Sequence, residues 1–224
     1  MAITPAHLAV EHLDLPLLRD LLDAGQDVED DNGDGWTLLR HAIDVEIDGF
    51  HQGGGPLQVD ATALLLARGA DPLRIGERNS TPVWEAESRG HWLAAELLRA
   101  WVLSGWIGRR IEAVTEARHW FEGRRDGDAE SLLHFWLTFE GGVTVQVHGM
   151  GDHLLLSPLS PYPSYAMDEH GETRVEPAHK PDRLASLTGR RLLGGSLNSS
   201  TLRLESEDGE LTIRVEADEW VFGP

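Results

Sequence analysis

A six-residue phrase occurs three times in the first half of this chain and limits what that half can fold into. It reads Thr4-Pro5-Ala6-His7-Leu8-Ala9, then Thr37-Leu38-Leu39-Arg40-His41-Ala42, then Thr81-Pro82-Val83-Trp84-Glu85-Ala86. The first two copies start 33 residues apart; the second and third start 44 apart, which is 33 plus an insertion of 11. A second phrase, Leu21-Leu22-Asp23-Ala24-Gly25-Gln26-Asp27, returns as Leu65-Leu66-Ala67-Arg68-Gly69-Ala70-Asp71, again 44 residues on. The insertion therefore lies inside the second unit, near residues 48–60. Its Gly53-Gly54-Gly55 run reads as a flexible loop or a contact finger. Repetition at this period describes units that cannot cover their own apolar faces and must stack on one another.

Each phrase also specifies its local structure. Thr4 and Thr81 can cap a helix, and Pro5 and Pro82 suit the first helical position, where the missing N–H costs nothing. Leu8, Ala9 and Leu13 recur at helical spacing, and small residues at Ala9, Ala42 and Ala86 let neighbouring helices approach closely. Leu17, Leu18, Leu21 and Leu22 share one face of a following helix. Gly25 and Gly69 fall where a helix ends in a left-handed residue, and Asn32-Gly33-Asp34-Gly35 is a tight-turn signal. Each unit reads as helix, turn, helix, projecting turn.

The wording and the period resemble the ankyrin repeat over residues 4–102, with departures at Leu38 and Arg40, where the family prefers Pro and His. The resemblance implies a three-repeat α-helical solenoid that binds protein. It also implies contacts from the projecting turns and from the positions just after each first helix. In this sequence those are Glu11 and His12; Asp31, Gly33, Asp34 and Trp36; Asp44 and Val45; Glu77, Arg78 and Ser80; and Ser88 and Arg89. Trp36 reads either as an exposed anchor ringed by carboxylates or as packing on the neighbouring unit. His7 occupies the family's histidine position, which ties adjacent turns together; His41 lies one place later and reads as packed or surface.

After Trp106 the helical period gives way to alternation. Thr201–Glu205 and Leu211–Val215 flank Asp208-Gly209, a hairpin signal. A turn at Asp208-Gly209 would pair Leu204 with Ile213 and Leu202 with Val215. His134–Phe139, Glu140-Gly141-Gly142 and Val143–Val147 repeat the pattern. Gly108-Arg109-Arg110-Ile111 precedes one hairpin and Gly189-Arg190-Arg191-Leu192 the other. The expected organisation is α+β in two domains: 1–103 helical, and 104–224 an all-β domain from a duplicated unit forming a small sandwich or barrel. The copies are 107–156 and 188–223, joined by a loop at 157–187 with one short strand near Thr173–Val175. Phe135, Leu137 and Phe139 are apolar opposite Trp136, which expects a central or covered strand. This half loosely resembles small β domains of uncharacterised actinobacterial proteins found near polymorphic toxins, through the Gly-Arg-Arg phrase, the Gly-rich hairpin and the terminal Trp220-x-x-Gly223.

Charge narrows the function. The chain carries 19 Lys and Arg against 38 Asp and Glu, net −19. Both halves are acidic: residues 1–103 hold 7 Arg against 18 carboxylates. Phosphate backbones would be repelled, which argues against nucleic acid; a basic protein partner would be steered in. With no cysteine there is no disulfide or thiolate chemistry. No secretory signal or membrane span is visible, so a cytoplasmic protein, monomeric when unbound, is expected. No nucleophile motif and no phosphate loop occurs. His148, Asp152 and His153 offer metal-ligand types, but their spacing matches no zinc signature, so no metal or other cofactor is expected. The reading is a non-enzymatic protein-binding protein, most concretely an acidic immunity-type protein that neutralises a basic toxin or effector. The alternative is an enzyme, or a small-ligand or metal-binding β domain, with the ankyrin half as recruiter.

Overall fold

The structure, a computed structural model, describes residues 3–76 and 80–223, so the expected contacts Glu77 and Arg78 lie outside the described residues. The chain divides into two compact units, residues 1–102 and 103–224. Among the described residues, six α-helices lie in the N-terminal half: α1 Pro5–Glu11, α2 Leu15–Asp23, α3 Leu38–Gly53, α4 Asp60–Ala67, α5 Pro82–Ser88 and α6 Trp92–Trp106. The rest forms two antiparallel sheets, of six and four strands, so the class is α+β. Among the described residues no helix is long and apolar enough to cross a membrane.

The repeated phrases act as helix starts. Thr4, Thr37 and Thr81 each sit in extended backbone, and each side chain accepts from the N–H three residues on. The helix ends repeat as well. The N–H groups of Asp14, Gln26, Ala70 and His91 each bond back to the carbonyl five residues earlier, at 2.7–3.0 Å. That closure needs a left-handed residue just before it. Gly25, Gly69 and Gly90 supply it at φ 95°, 94° and 80°, while Leu13 accepts the same geometry at 48°. The helices pair as α1/α2 and α3/α4, α2 touches α4, and α1, α3 and α5 touch in order. Ala6, Ala9, Leu18, Leu38, Ala42, Leu65, Ala86 and Leu98 are buried between them.

The insertion differs from expectation. α3 runs for 16 residues, against 7 in α1 and α5, and passes through Gly53 before Gly54 ends it at φ 64°. The apolar spacing of Leu39, Ala42, Ile43 and Ile47 simply continues, so the helix extends to keep burying it. Glu46 lies on this extension, 3% exposed. Its Oε1 accepts from the N–H groups of Ala61 and Thr62 at 2.8 and 3.1 Å, and its Oε2 from the Thr62 hydroxyl at 2.6 Å. Val59, the N-cap of α4, makes no side-chain cap bond, so a carboxylate from another helix does that work. His91, fully buried, accepts from Ala94 N–H through Nδ1 and turns Nε2 toward Glu46 at 3.7 Å.

In the second unit the six-stranded sheet orders as β4-β3-β2-β1-β6-β5 and the four-stranded sheet as β10-β9-β8-β7. The first group is β1 Ile111–Trp120, β2 Leu132–Phe139, β3 Val143–Met150 and β4 His153–Ser157; the last is β7 Leu192–Leu197, β8 Thr201–Ser206, β9 Gly209–Glu216 and β10 Glu219–Gly223. Each is a four-strand meander. β2 lies between β1 and β3, and both of its apolar faces are covered, Phe135 by Trp220 and Trp136 by Tyr162; Trp136, Phe135, Leu137 and Phe139 are fully buried. Between the meanders lie β5 (Tyr165–Ala166) and β6 (Glu172–Pro177), and β6 pairs with β1. The 157–187 segment thus widens the first sheet.

The two meanders meet through reciprocal bonds. Gly108 N–H reaches Leu192 O at 2.8 Å and Gly189 N–H reaches Ile111 O at 2.7 Å; Leu192 N–H reaches Arg109 O and Ile111 N–H reaches Arg190 O. Arg110 and Arg191 bridge at the centre of this pattern. The same exchange recurs between the β3–β4 and β9–β10 turns: Asp218 Oδ1 accepts from Gly151 N–H and Asp152 Oδ1 from Ala217 N–H. Phe135 and Trp220 meet edge to face across the sheets, 5.5 Å between centroids.

One register expectation is corrected. Leu202 pairs with Ile213 and Leu204 with Leu211, so Ser206↔Gly209 closes the hairpin and Glu207-Asp208 form its turn. The register has moved by an even number of residues, which keeps every side chain on its expected face. Leu202, Leu204, Ile213 and Val215 are all buried together.

Candidate functional site

The fourth position of the repeated phrase carries His7, Arg40 and Trp84 in turn, each held one helical turn inside its threonine cap. Two of these, with Trp36, build a groove in the helical unit. It encloses about 340 Å³ and is lined by Trp36, Arg40, Ile43, Asp44, Ser80, Trp84, Glu85, Ser88 and Arg89. Trp36 leads into α3 from the projecting turn, while Trp84, Glu85 and Ser88 come from α5, the adjacent first helix.

Arg40 forms the floor. It is 2% exposed. Nε donates to Glu85 Oε2 at 2.9 Å and Nη2 to Ser80 Oγ at 2.9 Å, and Nη2 also meets Glu85 Oε1. Ser80 Oγ in turn donates to Glu85 Oε1 at 2.9 Å. The guanidinium carbon lies 5.3 Å from the Trp36 ring centre, a cation–π distance that holds the indole against the wall. A Cβ at Gly76 would overlap this guanidinium, so the loop passes at a distance only glycine allows. Arg89 stands at the mouth, against Asp44 and Asp48.

Of the residues expected at a contact surface, Trp36, Asp44, Ser80, Ser88 and Arg89 line this one groove. The other expected residues that the structure describes lie outside its lining. Asp31 is tied into the turn, accepting from Gly33 N–H at 2.9 Å and from Arg74 at 3.1 Å, and Asp34 caps Trp36 N–H at 3.0 Å. Gly33 and His12 are exposed and Val45 is half-buried. The residues that sequence reasoning passed over are Arg40, Ile43, Trp84 and Glu85. The available signal was that Arg40 and Trp84 stand where the first phrase has His7.

Glu11 ends a chain of hydrogen bonds. Its Oε2 lies 2.8 Å from His41 Nε2; His41 Nδ1 lies 3.0 Å from His7 Nδ1; His7 Nε2 lies 3.2 Å from Asp30 O. Both outer partners are acceptors, so both Nε2 atoms must carry hydrogen, and the central contact needs one more. Burial lowers the pKa of His7. His41 is thus a buried tie between α1 and α3.

The β unit contains two further polar clusters. Glu116, Asp128 and Asp182 are the carboxylates that converge among the described residues. Arg118 sits among them, 2.8 Å from Glu116 Oε2 and 2.7 Å from Asp128 Oδ1, and Arg125 neutralises Asp182 at 2.7 Å. Burial pushes Glu116 up against the opposing pull of Arg118. The guanidinium already fills the centre, which makes this a folding network. On the outer face of β2, His134 stands opposite His148 and packs on Trp136 and Tyr162. Burial, with a smaller contribution from His148, lowers His134 to about 4, and burial lowers His148 as well. His148 therefore faces His134, whereas His153 is an exposed residue of β4 and Asp152 is bound to Ala217.

Among its lining residues the Trp36–Trp84 groove has no histidine base, and its two hydroxyls donate to Glu85. Two indoles over the Arg40–Glu85 ionic floor suit binding. In comparisons with known proteins, no protein-family model and no curated protein matches the chain.

Proposed function

We propose that this chain is a non-enzymatic binding protein whose helical unit is an ankyrin-type stack and whose Trp36–Trp84 groove grips a basic polypeptide. Its most concrete form is an immunity-type protein that covers the active surface of a basic toxin or effector in the cytoplasm. The β unit reads as a duplicated four-strand meander. The observation that carries the proposal is the groove itself, lined by two half-buried tryptophans, Trp36 from the turn that leads into α3 and Trp84 from α5. Tryptophan and arginine dominate the energetics of protein interfaces. The Arg40–Glu85–Ser80 floor fixes the wall in advance, so little ordering cost remains on binding. The net charge of −19 supports a basic partner.

The test is co-expression with the product of the adjacent gene, followed by calorimetric titration. Trp36→Ala should weaken the complex at least tenfold, and Ser88→Arg, which fills the mouth from an exposed position, should do the same. Both variants should melt within a few degrees of the parent. Full binding by both would remove the groove from the interface.

A further inference from the structure

The mouth of the groove already holds a guanidinium. Asp44 and Asp48 stand one turn apart on α3, and Arg89, from the residue that ends α5, spans them: Nη2 lies 3.0 Å from Asp48 Oδ1, and Nη1 meets Asp44 Oδ1. Two carboxylates share one cation, so the mouth retains a net charge of −1. The two arginines of the groove differ in kind. The Arg40 side chain is 2% exposed and enclosed by Glu85 and Ser80, and removing it would strand a carboxylate in the wall. The Arg89 side chain is 37% exposed, and ion pairs at that exposure hold weakly.

We propose that Arg89 stands in for a residue of the partner, and that an arginine of the incoming polypeptide takes its place between Asp44 and Asp48. The incoming guanidinium then lies at the groove mouth beside Trp84, and Arg89 turns out to solvent. Exchanging one exposed ion pair for another is close to neutral. The gain comes from contact with the indoles and from the water those contacts expel. Arginine is favoured over lysine because its planar fork can meet two carboxylates at once and stack on an indole, whereas an ammonium is a compact, strongly hydrated charge. The inference rests on the groove being a polypeptide-binding site and adds the chemistry that the partner must bring.

The experiment uses the full chain with capped hexa-arginine, hexa-lysine and hexa-glutamate peptides at low salt. It reads the indole N–H signals of Trp36 and Trp84 by NMR and the Kd by calorimetry. Arg89→Ala removes the resident cation. Arg19→Ala removes the same charge from an exposed pair with Asp20 on α2 and serves as the control. Hexa-arginine should move both indole signals and bind more tightly than hexa-lysine, while hexa-glutamate should do neither. Arg89→Ala should lower the Kd for hexa-arginine at least threefold beyond Arg19→Ala, and joint Asp44→Asn and Asp48→Asn should raise it at least tenfold. If Arg89→Ala binds no better than Arg19→Ala, or the double Asn variant binds as well as the parent, the exchange is refuted; moving indole signals would still support the groove as a binding site. If no cationic peptide moves either indole in any variant, the exchange and the basic partner fall together.

Discussion

Glu46 offers the sharpest test of how the helical unit is held. Glu46→Ala leaves the N–H groups of Ala61 and Thr62 and the Thr62 hydroxyl without an acceptor, at two residues that are fully buried. An unsatisfied buried donor costs about 1–3 kcal/mol. Partial entry of water into the space left behind offsets some of that, so a loss of about 3–5 kcal/mol is expected. At an unfolding entropy of about 2 cal/mol/K per residue, a unit of about 100 residues loses about 15–25 °C in melting temperature. Glu46→Gln separates geometry from charge. The amide oxygen still accepts both backbone N–H groups, and the Thr62 hydroxyl can rotate to accept from the amide NH₂, so the loss should be about 1 kcal/mol. The assay is thermal and urea unfolding followed by circular dichroism at 222 nm. A shift of under about 5 °C for Glu46→Ala would refute the capping argument. If Gln proves as costly as Ala, the stabilisation lies in the negative charge near His91 instead.

Three further outcomes follow from other parts of the molecule. Because His134 and His148 have lowered pKa values in the fold and return to about 6.5 when unfolded, the unfolded chain binds more protons below pH 6.5. Stability of the β unit should therefore be flat above that pH and fall from about pH 6.5 toward 4, by up to about 3 kcal/mol for His134 alone; urea unfolding of His134→Phe across this range should show a shallower fall. Gly76→Ala drives a Cβ into a guanidinium that its partners hold in place and should cost about 1–3 kcal/mol, with an altered Trp36 emission maximum. Arg118→Met leaves Glu116, Asp128 and Asp182 without their shared cation and should cost about 3–5 kcal/mol at neutral pH, with part of the loss recovered as the carboxylates protonate in mild acid.

What the sequence determined by itself is everything that depends on a few adjacent residues. Thr4, Thr37 and Thr81 set helix starts because a hydroxyl reaches an N–H three residues on. Gly25 and Gly69 set helix ends because the closing bond spans five residues. Alternation in 201–205 and 211–215 set which side chains turn inward, and that parity survived the corrected register. The doubly apolar strand at Phe135–Phe139 signalled that both of its faces are covered. Only the tertiary structure decided matters that depend on contact between distant segments. Arg40 and Glu85 are separated by 45 residues and meet because first helices of successive hairpins lie side by side. Glu46 caps a helix that begins 14 positions later, because α3 overran its expected end. β6 was legible as a short strand, but its pairing with β1 was not, since backbone hydrogen bonds carry no side-chain signature. A groove is a relation between surfaces, and neither surface alone records the other.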